Sequence, residues 1–303
     1  MRVGILIPAY NECENIPHLI NLLDVFLKDH PDYEVVFIDD GSDDGTQEIL
    51  QNYSRNYLKV VIHKKNLGKT QAIISGARKT NAEILVIYDA DMQFDINDVP
   101  RLVDLIVKNN ADVATGWKQG RYEKRFVSNI YNWCGRWLFK LDVHDMNAIK
   151  AFRREVLEAI PMRRDWHRYI VPLASEYGFV IKEIPVELKP RLYGRPKYQQ
   201  KTRIIVGFFD LLAVKFQLSF LKKPLLYFGT AGMLQILAGI LVGIIAVVLR
   251  IFGHGFRPLL YLVILLVVSG ILFFSLGLIG ESIRAILDHL EKLESKDRKD
   301  GAD

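Results

Sequence analysis

Two runs, "LLYFGTAGMLQILAGILVGIIAVVL" (Leu225–Leu249) and "LLYLVILLVVSGILFFSLGLIG" (Leu259–Gly280), carry no charged residue. Each exceeds the roughly 20 residues an α-helix needs to cross a bilayer. In hydrocarbon a backbone must satisfy its own polar groups, so both runs are expected to be helices. Only "RIFGHGFRP" separates them, which makes the pair a hairpin with both ends on one side. Lys215, Lys222 and Lys223 precede the hairpin and Arg284 and Lys292 follow it, against Arg250 and Arg257 in the connection. This modest bias puts the flanking segments on the cytoplasmic side. The expected location is a cell membrane, crossed more than once.

The hairpin also explains the composition. Half of the 303 residues are hydrophobic although a quarter are charged, because the apolar residues are concentrated near the C-terminal end. In "TRIIVGFFDLLAVKFQLSFLKK" (202–223), Arg203, Asp210 and Gln217 recur every seven residues on one helical face. Such a helix suits the membrane interface. The tail "RAILDHLEKLESKDRKDGAD" begins helical and turns polar, and its end is expected to be disordered. The expected organisation is therefore a first domain over 1–201, an interfacial helix over 202–223, a transmembrane hairpin over 224–281 and a cytoplasmic tail over 282–303.

The first two-thirds alternate in character. "VGILIP", "EVVFID", "LKVVIH" and "EILVIY" are short apolar runs that read as strands. "IPHLINLLDVFLKD", "QEILQNY" and "NLGKTQAIISGARKT" between them have helical spacing. Continuous apolar strands joined by helices argue for an α/β fold, with a mainly parallel sheet covered on both faces. Further on, "VATGW" and "FVIKEIPVEL" read as strands, and "RFVSNIYNWCGRWLFKL" and "AFRREVLEAIP" as helices. The opening run is too short, and too soon ended by Pro8, for a secretory signal. Cys13 and Cys134 make no disulfide framework and no zinc spacing. A net charge of +5 without a basic stripe gives no reason to expect nucleic acid.

In such sheets ligands bind beyond the carboxyl ends of the strands. The loops there are "PAYNE", "DDGSDDGT" and "DADMQFD". Asp89 and Asp91, one residue apart, can converge on a hard cation, and Gln93 offers a carbonyl oxygen. Alone, Asp-x-Asp is a weak motif that favours a solvated turn, and Asp95 is read as part of one. Asp39 and Asp40 end another strand, where a carboxylate can accept hydrogen bonds from a base or ribose. Lys69 opens a helix after Gly68, an arrangement that attracts phosphate or simply caps the helix.

Together, "IPAYNE", "VVFIDDGSDDGT", "NLGKTQAIISGA" and "YDADMQ" resemble, in order and spacing, family 2 glycosyltransferases of the GT-A (Rossmann-like) fold. "HDMNAIKAFRREVL", "DWHRYIVPLASEYGF" and "EIPVELKPRLYGRPKY" extend the resemblance to the polyprenyl-phosphate branch, which includes dolichol-phosphate mannose synthase-like enzymes. The resemblance covers roughly residues 1 to 223. It implies transfer of a hexose from a nucleotide sugar (GDP-mannose or a UDP-hexose) to a polyprenyl phosphate, with inversion. It implies that Pro8, Tyr10, Glu12, Asp39, Asp40 and Lys69 hold the nucleotide sugar together with Asp89, Asp145, Asn147 and Lys150. Asp89, Asp91 and Gln93 would hold Mg²⁺ or Mn²⁺. Arg125, Arg191, Lys197, Arg168 and His167 would bind the acceptor phosphate. Asp91, Asp89, Arg125 and Lys118 would carry catalysis, since Arg and Lys suit phosphate by charge-assisted hydrogen bonding.

Two departures bear on specificity. Relatives often read Gly-x-Ser-Lys where this chain has "GRPKY", with Pro196, and Ser-Gly or Cys-Gly near "DMNAIKA". Sugar identity is therefore not carried over. The Gln-x-x-Arg-Trp of processive synthases is absent, since Trp133 stands before Arg136 and Trp137. A sugar nucleotidyltransferase would also use carboxylates and Mg²⁺, but it gives no reason for a membrane hairpin. A non-catalytic membrane scaffold is the other alternative. The sequence leaves a homo-oligomer open.

Overall fold

Apolar runs bounded by acids, glycines and prolines become strands where both of their faces can be covered. In the computed structural model these are β1 (Val3–Ala9), β2 (Tyr33–Asp39), β3 (Leu58–Ile62), β4 (Ile84–Ile87), β5 (Val113–Gln119), β6 (Lys150–Arg153) and β7 (Ile181–Glu187). The structure describes residues 1–53, 55–120, 125–191, 203–220, 223–255 and 257–300, and their side chains outside 125–127, 203–208, 219–220 and 291–300. The helices between the strands are α1 (Ile16–Asp29), α2 (Thr46–Asn52), α3 (Lys69–Lys79), α4 (Asp98–Lys108), α5 (Arg125–Phe139), α6 (Arg154–Ala159) and α7 (Ile170–Glu176).

Among the described residues the strands form one seven-stranded sheet in the order β3-β2-β1-β4-β6-β5-β7. β6 runs antiparallel to both neighbours, β4 and β5, and the other pairings are parallel. On one face Val3, Ile5, Ile7, Phe37, Ile84 and Val86 pack with Leu19 and Leu23 of α1 and Leu102 and Ile106 of α4. On the other, α3 lies so close that a Cβ on Gly76 would come within 2.6 Å of Ile38 Cδ1. The sheet is thus covered on both faces, as the apolar runs predict.

The reversed strand corrects one expectation. "AFRREVLEAIP" reads as a single helix, but its first residues belong to β6 and only Arg154–Ala159 is helical. Ala151 and Phe152 are fully buried between β4 and β5, and the ladder on both sides outweighs local helical spacing. Because β6 runs backwards, its first residue, Lys150, stands at the carboxyl edge, opposite Ile87 and Thr115.

The chain divides into two compact units, Met1–Phe208 and Phe209–Asp303. α8 (Arg203–Lys215) crosses that boundary and continues into a π-helical turn, Phe216–Phe220. A second π-helical turn, Leu225–Gly229, leads into α9 (Thr230–Ile251), followed by α10 (Arg257–Asp300). α9 and α10 pack antiparallel on glycine. A Cβ on Gly232 would stand 2.5 Å from the Gly270 carbonyl oxygen and 2.6 Å from the Phe274 nitrogen. Small residues let backbones approach in this way in membranes. Leu234, Leu241, Leu265 and Leu272 are exposed, so these are not core helices of a soluble domain. Leu225–Ile251 and Arg257–Leu290 are long and apolar enough to cross a membrane.

The tail differs from expectation, because α10 continues through Asp300. Glu281–Lys299 contains no Gly or Pro and is rich in Leu, Glu, Lys and Arg, all good helix formers. Arg284 pairs with Asp288 across one turn at 2.7 Å.

Candidate active site

β4 ends at Ile87 and delivers Asp89 and Asp91 to the carboxyl edge of the sheet. α3 begins at Lys69, whose ammonium pairs with the Asp89 carboxylate. Asp91 accepts a hydrogen bond from the Arg191 guanidinium at 2.6 Å. Lys69, Asp89, Asn147, Lys150 and His167 line one pocket. Burial opposes ionisation of Asp89, but Lys69, with Lys150 and Arg191, outweighs it and holds the carboxyl below its ordinary value. Burial pushes Asp91 up to about 6; the Asp89 carboxylate adds to the shift and Arg191 opposes it. Lys150 is driven down to about 8 by burial and by Lys69, against the pull of Asp89 and Asp145.

An ion pair lies near Lys150. Asp145, 2 % exposed, lies 3.2 Å from the Lys118 ammonium of β5 and accepts the Asn147 backbone N–H at 2.9 Å. His167, on a short 3₁₀ turn (Trp166–Tyr169), is tied to α3: its Nδ1 lies 3.0 Å from Thr70 Oγ1, which also accepts its backbone N–H. Arg168 follows on the same turn and is half-buried.

The "DADMQFD" loop is held from a distance. The Lys189 backbone N–H donates to the Gln93 carbonyl at 2.7 Å, and the Gln93 amide donates to the Lys189 carbonyl at 3.3 Å. Lys189 Nζ also pairs with Asp95 at 2.7 Å, so Asp95 is in a turn as read, but a clamped one. Sequence reasoning missed Lys189. The run "KPR" after a strand was its only signal, because its partners lie more than 90 residues away.

The loops after β1 and β2 form a second cluster. Asp39 accepts the Ser42 hydroxyl. Ser42 Oγ accepts the Asn11 N–H at 2.9 Å, and Thr46 Oγ1 accepts the Glu12 N–H at 2.9 Å. Glu12 accepts the Asn15 amide at 2.6 Å and so closes the start of α1. Pro8 and Tyr10 are half-buried beside this lattice. Asp40 ties this cluster to the loop before α3. Its carboxylate accepts the Leu67 and Gly68 N–H groups at 3.0 and 2.8 Å, and lies 2.7 Å from His63 Nδ1. His63 Nε2 in turn lies 2.9 Å from Ser75 Oγ. Asp40 therefore sets the entry of α3, and through it Lys69. Gly41 follows with φ +75° and packs so tightly that a Cβ would meet the Lys65 carbonyl carbon at 2.5 Å.

The structure thus brings together Lys69, Asp89, Asp91, Asn147, Lys150, His167 and Arg191, with Lys118 and Asp145 adjoining. Arg125 opens α5, but its side chain lies outside the described residues, as does all of Lys197. Among the described residues no group of three His, Cys, Asp or Glu could hold a metal by itself. Asp89 and Asp91 nevertheless fit Mg²⁺ or Mn²⁺. Such ions typically take one or two carboxylates and complete their shell with phosphate oxygens and water.

A family model described as "Glycosyl transferase family 2" matches residues 4–160. Dodecaprenyl-phosphate galacturonate synthase of Rhizobium johnstonii is 26% identical over 301 residues, covering 93% of this chain and 88% of its own. Undecaprenyl-phosphate 4-deoxy-4-formamido-L-arabinose transferase of Proteus mirabilis is 27% identical, covering 94% and 89%. Among solved structures, glucosyl-3-phosphoglycerate synthase from Mycobacterium tuberculosis with Mn²⁺, UDP and phosphoglyceric acid superposes with a TM-score of 0.57. It is 18% identical and covers 72% of this chain and 78% of its own. Its complex with Mg²⁺ and UDP gives 0.54 at 19% identity, covering 69% and 79%. These likenesses show the GT-A fold that the sequence motifs imply. With the family model spanning more than half of the 303 residues and the sheet following that plan, the chain belongs to glycosyl transferase family 2.

Proposed function

We propose that this protein transfers one hexose from a nucleotide sugar to a polyprenyl phosphate, such as dolichyl or undecaprenyl phosphate, at the cytoplasmic face of a membrane. One observation carries the reading. A single chain joins an acidic and basic pocket at the carboxyl edge of a glycosyltransferase sheet to a membrane hairpin. The two curated relatives support it, since both are named for sugar transfer to a polyprenyl phosphate. In this reading residues 1–201 form the catalytic domain, 202–223 an interfacial helix and 282–303 a cytoplasmic tail.

The acceptor phosphate is already anionic, with a second pKa near 6 for a phosphomonoester, so it attacks the anomeric carbon without a strong general base. The new C–O bond forms as the bond to the diphosphate breaks, with inversion, and the nucleoside diphosphate leaves with the electron pair. Asp89, Asp91 and the Gln93 amide would hold Mg²⁺ or Mn²⁺, which supplies positive charge to the leaving diphosphate when bound. Lys69 and Arg191 stand beside that pair and offset further charge on the diphosphate. Lys150, still mostly protonated at neutral pH, becomes more firmly so as the donor's anion arrives. Asp145 and Asn147 face the sugar, and Pro8, Tyr10, Glu12 and Asp39 hold the nucleotide. Arg125, Arg168, His167 and Lys197 serve the acceptor phosphate, and Lys118 pairs with Asp145 beside it.

The test is Asp91→Asn in the full chain, reconstituted with polyprenyl phosphate and labelled nucleotide sugars. Transfer and Mn²⁺-dependent donor binding should both be lost while the protein remains folded in the membrane. Full transfer by Asp91→Asn would remove the metal assignment.

A further inference from the structure

Residues 141–149 form neither helix nor strand, yet they carry Asp145 and three residues of the pocket wall, Asn147, Ala148 and Ile149. A side chain on a loop keeps a fixed direction only where the loop backbone is tied to rigid elements. Three consecutive residues supply such ties. The Thr115 hydroxyl of β5 donates to the Asp145 carbonyl at 3.5 Å, and the Asn132 side-chain oxygen of α5 accepts the Met146 N–H at 3.4 Å. Both of those bonds are long. The His144 N–H donates to the Glu183 carboxylate of β7 at 2.7 Å, and an ionised acceptor makes this the strongest of the three.

Glu183 uses both of its oxygens on one residue. Oε2 accepts the His144 backbone N–H, and Oε1 accepts the Nδ1–H of the same imidazole. The imidazole lies flat on the Trp117 indole, with ring centroids 4.0 Å apart and planes 16° from parallel. Glu183 stands opposite Thr115 in the β5–β7 ladder, and Trp117 stands opposite Pro185, so the bracket is mounted on two paired strands. Trp117 and His144 are exposed, whereas their chain neighbours Lys118 and Asp145 pair at 3.2 Å with side chains 12% and 3% exposed. Glu183, His144 and Trp117 are not among the residues that line the pocket. A half-exposed contact of this kind adds little to global stability, so its loss should appear in the site before it appears in the fold.

We propose that Glu183, acting through His144 and Trp117, is a positioning residue for sugar transfer. It fixes the backbone immediately before Asp145 and so the direction in which Asp145 meets the sugar. The inference rests on the proposed function, in which Asp145 faces the sugar of the donor. Lys69, Asp89 and Asp91 stand on α3 and on the loop after β4, so removing Glu183 leaves the groups for the diphosphate in place. Donor affinity should survive while alignment is lost, and a misplacement of about 1 Å can cost about 100-fold in rate.

The test is transfer kinetics of the full chain in vesicles containing polyprenyl phosphate, with UDP-hexoses and GDP-mannose as donors. Glu183→Ala should lower kcat by about tenfold to 100-fold. The donor KM should stay within about twofold of wild type, since the lost interaction acts on the transition state and not on uniform binding. Its Tm should be unchanged. Glu183→Gln keeps an oxygen for the His144 N–H and should recover most of kcat. His144→Ala removes the ring and its stack but keeps the backbone N–H, and should lower kcat by a smaller factor; it decides the matter if Glu183→Ala does not fold. Wild-type kcat in the Ala variants overturns the proposal. A raised donor KM at unchanged kcat also overturns it, as does a Glu183→Gln variant as impaired as Glu183→Ala. A wild type that transfers no sugar to lipid fails the proposed function itself, and this inference with it.

Discussion

Asp40→Ala separates a scaffolding carboxylate from a ligand-binding one. The carboxylate accepts two backbone N–H groups, from Leu67 and Gly68, and one contact from His63. A donor left unsatisfied costs about 1–3 kcal/mol. Leu67 is 37% exposed, so water recovers part of its loss, and the sum comes to about 2–4 kcal/mol. Asp40→Asn keeps one acceptor oxygen and should cost about half of that, roughly 1–2 kcal/mol. The assay is urea unfolding of the full chain in detergent micelles, followed by tryptophan emission, since all four tryptophans lie in the first unit. With a slope of about 3 kcal/mol per molar urea, Asp40→Ala should lower the midpoint by about 1 M. The loss should extend to donor binding, because the same bonds set the start of α3 and hence Lys69. An unchanged midpoint combined with lost nucleotide-sugar affinity would show that Asp40 faces ligand and would refute the loop account.

Gly41→Ala should destabilise the same unit by at least about 2 kcal/mol in the same urea assay, since the positive φ and the Lys65 backbone contact both oppose a side chain. Gly232→Leu should lower the melting temperature of the hairpin in detergent. Gly243→Leu should not, because the nearest atom to a Cβ there is Val263 Cγ1 at 3.7 Å. Asp24 is held below the usual carboxylate range by Arg55 first and by the Tyr57 hydroxyl second. A depressed folded pKa stabilises above the unfolded value of about 3.9 and is lost as pH falls through the folded value. Wild type and Asp24→Asn should therefore differ by less than about 1 kcal/mol at neutral pH and converge at the acid end. Calorimetry of nucleoside diphosphate binding should weaken on chelation and recover with Mn²⁺, and Asp91→Asn should abolish that recovery.

The parallel strands and the loops after them were legible because buried strands are continuous apolar runs, and ligand sites lie beyond their ends. β6 was not, because four residues starting with a lysine carry no strand signal until β4 and β5 are seen on either side. Asp40 shows a second limit. A carboxylate at a strand end looks the same in sequence whether it meets a ligand or the backbone of another loop. Lys189 and Arg191 show a third: their partners Asp95 and Asp91 lie 94 and 100 residues away, and no local pattern encodes that closure. In the tail, polar composition suggested disorder, although the absence of Gly and Pro between Glu281 and Lys299 let the helix run on.

The most direct test of the central claim is to incubate the full chain in vesicles containing polyprenyl phosphate with a panel of nucleotide sugars, each labelled in the sugar. One of them should pass its label into the organic-extractable lipid, with one nucleoside diphosphate released per sugar transferred. Label recovered only as free sugar, or release of pyrophosphate in place of nucleoside diphosphate, would contradict the account.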